Sequence, residues 1–362
     1  MSEAEAPIDR DKLEAYSRNM TRGMVGSLNT ALMFVGDGLG LYERMRELGP
    51  ATSTGLAEAA GLSERWVREW LYQQACNGQI EYDEDSDEFR LSPEAQVVLT
   101  ERDHPAYLGG MLQSVMAMFE TIDQLPGCFQ TGIGQSFDDK GENCACGIER
   151  MSRKFQTSYL VPKLLPQLDD IVSKLEAGGQ VADVGCGGAT STIAMAKAFP
   201  ASKFVGYDIS QHALNRAAGN IDAAGVPNVS LSDPTTEPLP MDGSLDFVTT
   251  FDVIHDSTHP AELIHAIRQS LKPDGTWLCA DITGRPTFAE NLRENAMAKM
   301  AYSFSVMVCM SASLSVEGGA GLGTLGFHEV KAREMSAQGG FSRFRTVEYE
   351  GDQFNSFYEI RP

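Results

Sequence analysis

The chain of 362 residues carries 29 Lys and Arg against 50 Asp and Glu, a formal net charge of −21. No basic run offsets that field, which repels phosphate backbones and anionic lipid heads, so neither nucleic acid nor a membrane surface is expected as a partner. With 42% hydrophobic and 22% charged residues, the composition excludes a disordered chain and supplies apolar material for more than one core.

The opening MSEAEAPIDRDKLEAY has neither a basic start nor an apolar core, and no stretch approaches the roughly 18 to 20 apolar residues of a membrane span, so a cytoplasmic location is expected. Cysteines at 76, 128, 144, 146, 186, 279 and 309 are scattered and odd in number, which reads as free thiols rather than a disulfide framework. From Ser27 to Glu47, Leu28, Ala31, Leu32, Val35, Leu39 and Tyr42 recur at helical spacing, interrupted by Gly36, Gly38 and Gly40. TSTGLAEAAG predicts a short helix capped by Thr52 or Ser53. LSERWVREWLYQQACNG predicts a second, with Ser63 as cap and Gly78 as stop.

QIEYDEDSDEFRLS then alternates into two strands around an acidic turn, completing helices and a wing. That wing holds Glu81, Asp83, Glu84, Asp85, Asp87 and Glu88 against Arg90 alone, so phosphate is repelled. Trp66, Val67, Trp70 and Leu71 read as an apolar packing stripe, which favours dimerisation or covering of a site over DNA reading. Helical segments follow in YLGGMLQSVMAMFETI and RKFQTSYLVPKLLPQLDDIVSKL, with the Gly-rich passage from Gly127 to Gly147 read as a loop. Its Cys144 and Cys146 lack a second ligand pair, and no metal is expected.

From Gly179 the pattern alternates strand and helix, predicting a doubly wound parallel sheet. Within it, VADVGCGG is an apolar strand entering Gly185-Cys186-Gly187-Gly188 and a helix opening at Thr190 or Ser191. Glycine permits close backbone approach, and the helix N-terminus offers N–H groups to an anionic group. Asp208 ends the next strand about 20 residues on, where a carboxylate can take both hydroxyls of a ribose. A nicotinamide dinucleotide asks for a third glycine where Thr190 stands, and Asp183 sits badly beside a pyrophosphate. Asp183 suits instead a ligand ending in an ammonium-bearing amino acid, as S-adenosylmethionine does.

These residues, Asp183, Gly185, Gly187 and Asp208, resemble the first two motifs of the class I S-adenosylmethionine-dependent methyltransferases, although position 189 is Ala where many members have glycine. The likeness continues through PLPMDGSLDFV and LKPDGTWLCADI. It implies a Rossmann-like α/β sheet behind an amino-terminal, mostly α winged-helix domain, with Asp233 near the adenine amine and Phe251 also on the cofactor. FDVIHDSTHP resembles the His-Asp stretch of plant-type small-molecule O-methyltransferases, which also carry a winged-helix dimerisation domain. The likeness makes His255 the candidate general base, placed at the carboxyl edge of the sheet with an ordinary pKa of about 6.5. Asp256 is then its orienting partner or a helix cap, and His259 is an alternative base.

The expected domains are a leading segment 1–26, a winged-helix, dimerisation-like domain 27–100, a helical linker 101–178 and a methyltransferase domain 179–362. A small-molecule methyl acceptor and a homodimer are the expected partners. The insertion from Gly284 to Gly326 offers Met297, Met300, Met307, Met310, Tyr302 and Phe304 as acceptor wall or as plain core, with Arg285 and Arg293 as holders of an acceptor carboxylate or as solvated surface. O-methylation is the favoured reading, with sulfur or nitrogen open. A winged-helix regulator with a nucleoside-sensing domain and a nicotinamide oxidoreductase are the competing readings.

Overall fold

The computed structural model describes residues 8–348, except 103 and 105, and 354–362. It divides into two compact units, one ending at Leu112 and the other running from Gln113 to Pro362.

In the first unit a helix spans Arg10–Gly38, with the Asp9 side chain accepting from the N–H groups of Asp11 and Lys12 at 3.0 and 3.2 Å. It starts well before the Ser27 expected from periodicity. Residues 10–26 are exposed throughout, so their apolar row of Leu13, Tyr16, Met20 and Met24 meets no core of this chain, and pairs such as Arg18 with Glu14 at 3.2 Å suit a solvated helix. Gly36 does not break it: a Cβ there would stand 2.3 Å from Trp70 Cζ2, and the indole instead seats on the backbone and donates to the Leu32 carbonyl at 2.9 Å.

Helices Leu41–Leu48, Ser53–Ala60 and Glu64–Cys76 follow. Next come strands β1 (Glu81–Asp83) and β2 (Glu88–Arg90), paired antiparallel as the wing, and helix Pro93–Thr100. Their shared core includes Leu41, Tyr42, Leu56, Val67, Leu71 and Phe89. Trp66 corrects the expected stripe, because it is 80% exposed while Val67, Trp70, Leu71 and Gln74 are buried. Positions three and four apart share a helix face, and residue 66 falls off it.

The second unit is built on β3 (Gln180–Val184), β4 (Lys203–Tyr207), β5 (Val229–Ser232), β6 (Leu245–Phe251), β7 (Leu271–Ile282), β8 (Arg343–Val347) and β9 (Asn355–Arg361). Their order is β5-β4-β3-β6-β7-β9-β8. The first five run parallel, and β9 lies antiparallel to both β7 and β8. The expected closing strand FRTVEYE is β8 only to Val347; Tyr349 and Glu350 lie outside the described residues. Alternation of side chains along each strand feeds two cores. Val181, Phe204, Phe247 and Phe357 pack on one face, and Ala182, Val248, Trp277 and Tyr358 on the other.

The passage from Gly127 to Gly147 is not the expected loop. Helices Leu125–Thr131 and Gly141–Ser158 occupy most of it. Gly132, in the left-handed region at φ 75°, caps the first. Gly147 lies inside the second, where a Cβ would meet Ser114 Oγ at 2.5 Å, so it serves close helix packing rather than a turn. The doubly wound sheet reverses its winding at β3, which puts a crevice beyond the carboxyl ends of β3, β4 and β6.

Candidate active site

The chain leaves β3 in a tight loop. Gly185, Gly187 and Ala189 all take positive φ, of 69°, 54° and 58°. A Cβ at Gly185 would stand 2.3 Å from Val253 Cγ2, so that position needs glycine, whereas one at Gly188 would meet the Glu149 carboxylate at 2.3 Å and require that side chain to shift. Ala189 adopts the same hand at a cost of about 1–2 kcal/mol. It opens helix Thr190–Ala198 with no side-chain bond of its own, and the first-turn N–H of Thr192 is taken by the Asp183 carboxylate instead.

The loop curls over the end of β4. Gly185 and Cys186 N–H both donate to the Tyr207 carbonyl, at 2.7 and 3.0 Å. Gly187 N–H donates to Asp208 Oδ2 at 2.8 Å, while Ser210 N–H donates to Oδ1 at 2.9 Å. Asp208 lines the crevice with each oxygen fixed by one N–H, and each retains acceptor capacity for a hydroxyl. Burial raises its pKa, and the two N–H donors oppose that.

Asp183 is placed differently from its expected role. It is 1% exposed and lies under the loop. Its Oδ2 accepts from Ser191 and Thr192 Oγ at 2.7 and 2.6 Å, and its Oδ1 from Thr249 Oγ at 2.7 Å. A carboxylate spent on three hydroxyls ties the loop and the helix start to β6; it is not among the residues facing the crevice. Asp233 is likewise turned to its own turn, accepting from Thr235 N–H and Oγ at 2.9 and 2.6 Å and from Gln211 at 2.9 Å. Its neighbours Pro234 and Thr235 line the crevice instead, as does Phe251.

The crevice is a cavity of about 760 Å³ within the second unit, in the range of cofactor and ligand sites. His255 stands in it on the short turn Ile254–Asp256 beyond β6, 2% exposed. Its Nδ1 lies 2.6 Å from Asp281 Oδ1 and its Nε2 3.2 Å from Asp256 Oδ1. Asp281, at the end of β7 and 1% exposed, is thus the nearer acid to the imidazole, and Asp256 lies against its other nitrogen. Asp256 does not cap the next helix, whose N-cap is His259. Burial alone would lower the pKa of His255, but Asp256 and Asp281 overcome it and hold the imidazole well above its usual range. Asp252, also on the crevice and at φ 59°, is pushed up to about 7 by burial and then by Asp281.

Asp281, Asp252 and Cys309 were not picked out from sequence. Asp281 had one visible signal, an acid closing the apolar run of LCADI. His255 Nε2 or Nδ1, Asp256 O and Cys309 Sγ offer ligand atoms within 4.8 Å of one another. Burial pushes the Cys309 thiol up to about 11. Of the insertion, Phe304, Val308 and Cys309 reach the cavity. Met297, Met300, Tyr302, Met307 and Met310 do not line it. Arg285 and Arg293 face Glu294 at 3.5 and 3.9 Å and stay outside the cavity. His259 lines the mouth, exposed, with Nδ1 at 2.9 Å from Thr258 Oγ. A shallow second depression, between Arg46, Thr100, Glu101, Arg102 and His104, holds its arginines in pairs with Glu101 and Glu43 and carries no such constellation.

Residues 175–345 match the family model described as a methyltransferase domain, and residues 27–101 the Rv2258c-like winged HTH domain. The architecture is thus a class I methyltransferase fold behind a mostly helical winged-helix domain. Among solved structures the chain is similar to an O-methyltransferase from Nostoc punctiforme, described as putative, at TM-score 0.71 and 14% identity over 98% of this chain and 100% of that one. It is also similar to the mitomycin 7-O-methyltransferase MmcR at TM-score 0.70 and 18% identity (98% and 99%), and to human N-acetylserotonin methyltransferase at TM-score 0.67 and 15% identity (99% and 99%).

Among curated relatives, ubiquinone biosynthesis O-methyltransferase of Albidiferax ferrireducens is 33% identical over 27% of this chain and 39% of its own length. Demethylmenaquinone methyltransferase of Geobacillus stearothermophilus is 31% identical over 31% of this chain and 49% of its own. The chain thus spans less than half the length of these two relatives.

Proposed function

We propose that the chain is an S-adenosylmethionine-dependent methyltransferase that acts on a small molecule, at oxygen, with His255 as the general base. The observation that carries this reading is one cavity lined both by Asp208, an acid held against the glycine loop by the Gly187 N–H, and by His255, which the buried Asp281 pairs from behind. When bound, the cofactor supplies a methyl group on a cationic sulfonium. Asp208 binds the ribose hydroxyls, the loop 185–188 gives close backbone passage, and Phe251 packs beside Phe155, their ring centres 6.0 Å apart, to form an apolar wall.

In the neutral imidazole, which forms only above the usual histidine range, Asp281 keeps the proton on Nδ1, and Nε2, released from Asp256, takes the proton of the acceptor hydroxyl as the oxygen is methylated. The apolar wall excludes water and holds the acceptor oxygen in line. Replacement His255→Gln keeps the cofactor site and removes the base. Transfer is expected to fall on the order of 10²–10⁴-fold with binding of S-adenosylhomocysteine unchanged. An undiminished maximum rate in this variant would remove the base and point to a thioether or amine acceptor, from which no proton need leave by this route.

A further inference from the structure

Apart from its two histidines, the cavity carries ionisable side chains of one sign on its walls. Among the described residues that line it, Glu149, Asp208, Asp252, Asp256 and Glu262 are acidic and none is Lys or Arg. Two of these acids are spent locally. Glu149 accepts from Arg216 Nε at 2.8 Å, and Asp208 takes the two backbone donors described above.

The remaining charge gathers on the floor, where three carboxylates surround one imidazole. Asp281 and Asp256 flank His255 at 2.6 and 3.2 Å, and Asp252 accepts only an amide, from Asn355 at 2.5 Å. Asp281 Oδ2 and Asp256 Oδ1 are buried without a well-aligned hydrogen-bond donor. Above this floor the wall is apolar, formed by Met118, Ile148, Met151, Leu263, Phe304 and Val308. An anionic group entering such a space would lose its water and meet carboxylates gathered around a single imidazolium that Asp256 and Asp281 already pair, with no Lys or Arg to replace the lost hydration.

We propose that the acceptor is an apolar molecule without a carboxylate, phosphate or sulfonate group, anions being rejected by the carboxylates of Asp252 and Asp256, backed by the buried Asp281, and by walls that carry no Lys or Arg. This deepens the methyltransferase reading and rests on it for the word acceptor, while the charge selection belongs to the cavity itself. Two probes with the same rings separate the cases: neutral N-phenyl-1-naphthylamine and anionic 8-anilinonaphthalene-1-sulfonate, titrated by fluorescence into the full chain with and without S-adenosylhomocysteine.

The cavity signal is the part abolished by Val308→Trp or Leu263→Trp, either of which fills the space. The neutral probe is expected to bind there at least tenfold more tightly than the sulfonate. Met151→Arg, at a position 43% exposed and so tolerant of a long cation, is expected to narrow that ratio at least fivefold. A cavity signal for the sulfonate equal to or stronger than that for the neutral probe would overturn the proposal. Preference for the neutral probe in a protein that fails to bind S-adenosylhomocysteine would sink the methyltransferase reading and leave the charge selection standing.

Discussion

At His255 the two ring nitrogens meet different acids, and that asymmetry sets the pH behaviour. Asp256 and Asp281 hold the imidazole well above its usual range despite burial, so the base form appears only as pH climbs past the ordinary histidine region. The pH profile of transfer should rise above about 6.5. Asp281→Asn should lower the maximum rate and move the rising limb toward lower pH, since one raising charge is gone. A limb that does not move would remove Asp281 as the positioning residue.

Stability follows the same sign. A group whose pKa is raised on folding stabilises the native state fully below its unfolded value, and that contribution is lost as pH rises through the folded value. Wild type should therefore lose its melting-temperature advantage over His255→Gln on the alkaline side, which a scan of unfolding against pH will read. Asp183 bears on packing instead. Asp183→Asn turns a pure acceptor for three hydroxyls into a mixed donor and acceptor, and a cost of about 1–3 kcal/mol is expected by denaturant titration.

The loop between β3 and its helix was legible because its requirement is local: glycine at 185 and 187 serves positive φ, and an acid closes the next strand. Gly185→Ala should destabilise by about 2–4 kcal/mol, combining the left-handed backbone with the clash against Val253, and the unfolding midpoint in urea reports it. The direction in which each acid points was not legible. Asp183 and Asp208 both belong to the motif, yet one faces three hydroxyls beneath the loop and the other faces the cavity, because that choice depends on Thr249 and Gly187 from distant parts of the chain.

Asp281 and His255 lie 26 residues apart on separate elements, and only the parallel pairing of β6 with β7 brings their ends together. The helices around Gly132 and Gly147 were misread for a related reason. Glycine marks a loop in the sequence, whereas here it caps one helix and lets another approach Ser114. Helix Arg10–Gly38 was half legible: its first part does carry an apolar period, Leu13, Tyr16, Met20 and Met24, but among many charged residues and with no core beneath it.

Over the whole molecule, the net charge of −21 and a wing rich in Asp and Glu set the winged-helix unit against phosphate. Duplex DNA should show no salt-sensitive retention, and a steep loss of binding with salt would instead favour the regulator reading. The leading helix exposes Leu13, Tyr16, Met20, Met24 and Leu28, each at least half exposed, at helical spacing. We propose that this row pairs two copies of the chain. Sedimentation should then give twice the mass of 39.3 kDa for wild type and the single mass for a Leu13→Glu, Met20→Glu double variant. A wild-type monomer would contradict the pairing.

The central claim is the cofactor, and calorimetric titration with S-adenosylmethionine and S-adenosylhomocysteine tests it most directly, on wild type and on Asp208→Ala. Both ligands are expected to bind the wild type, and binding is expected to be lost in the variant while it remains folded. Folded wild type that binds neither ligand would contradict the account.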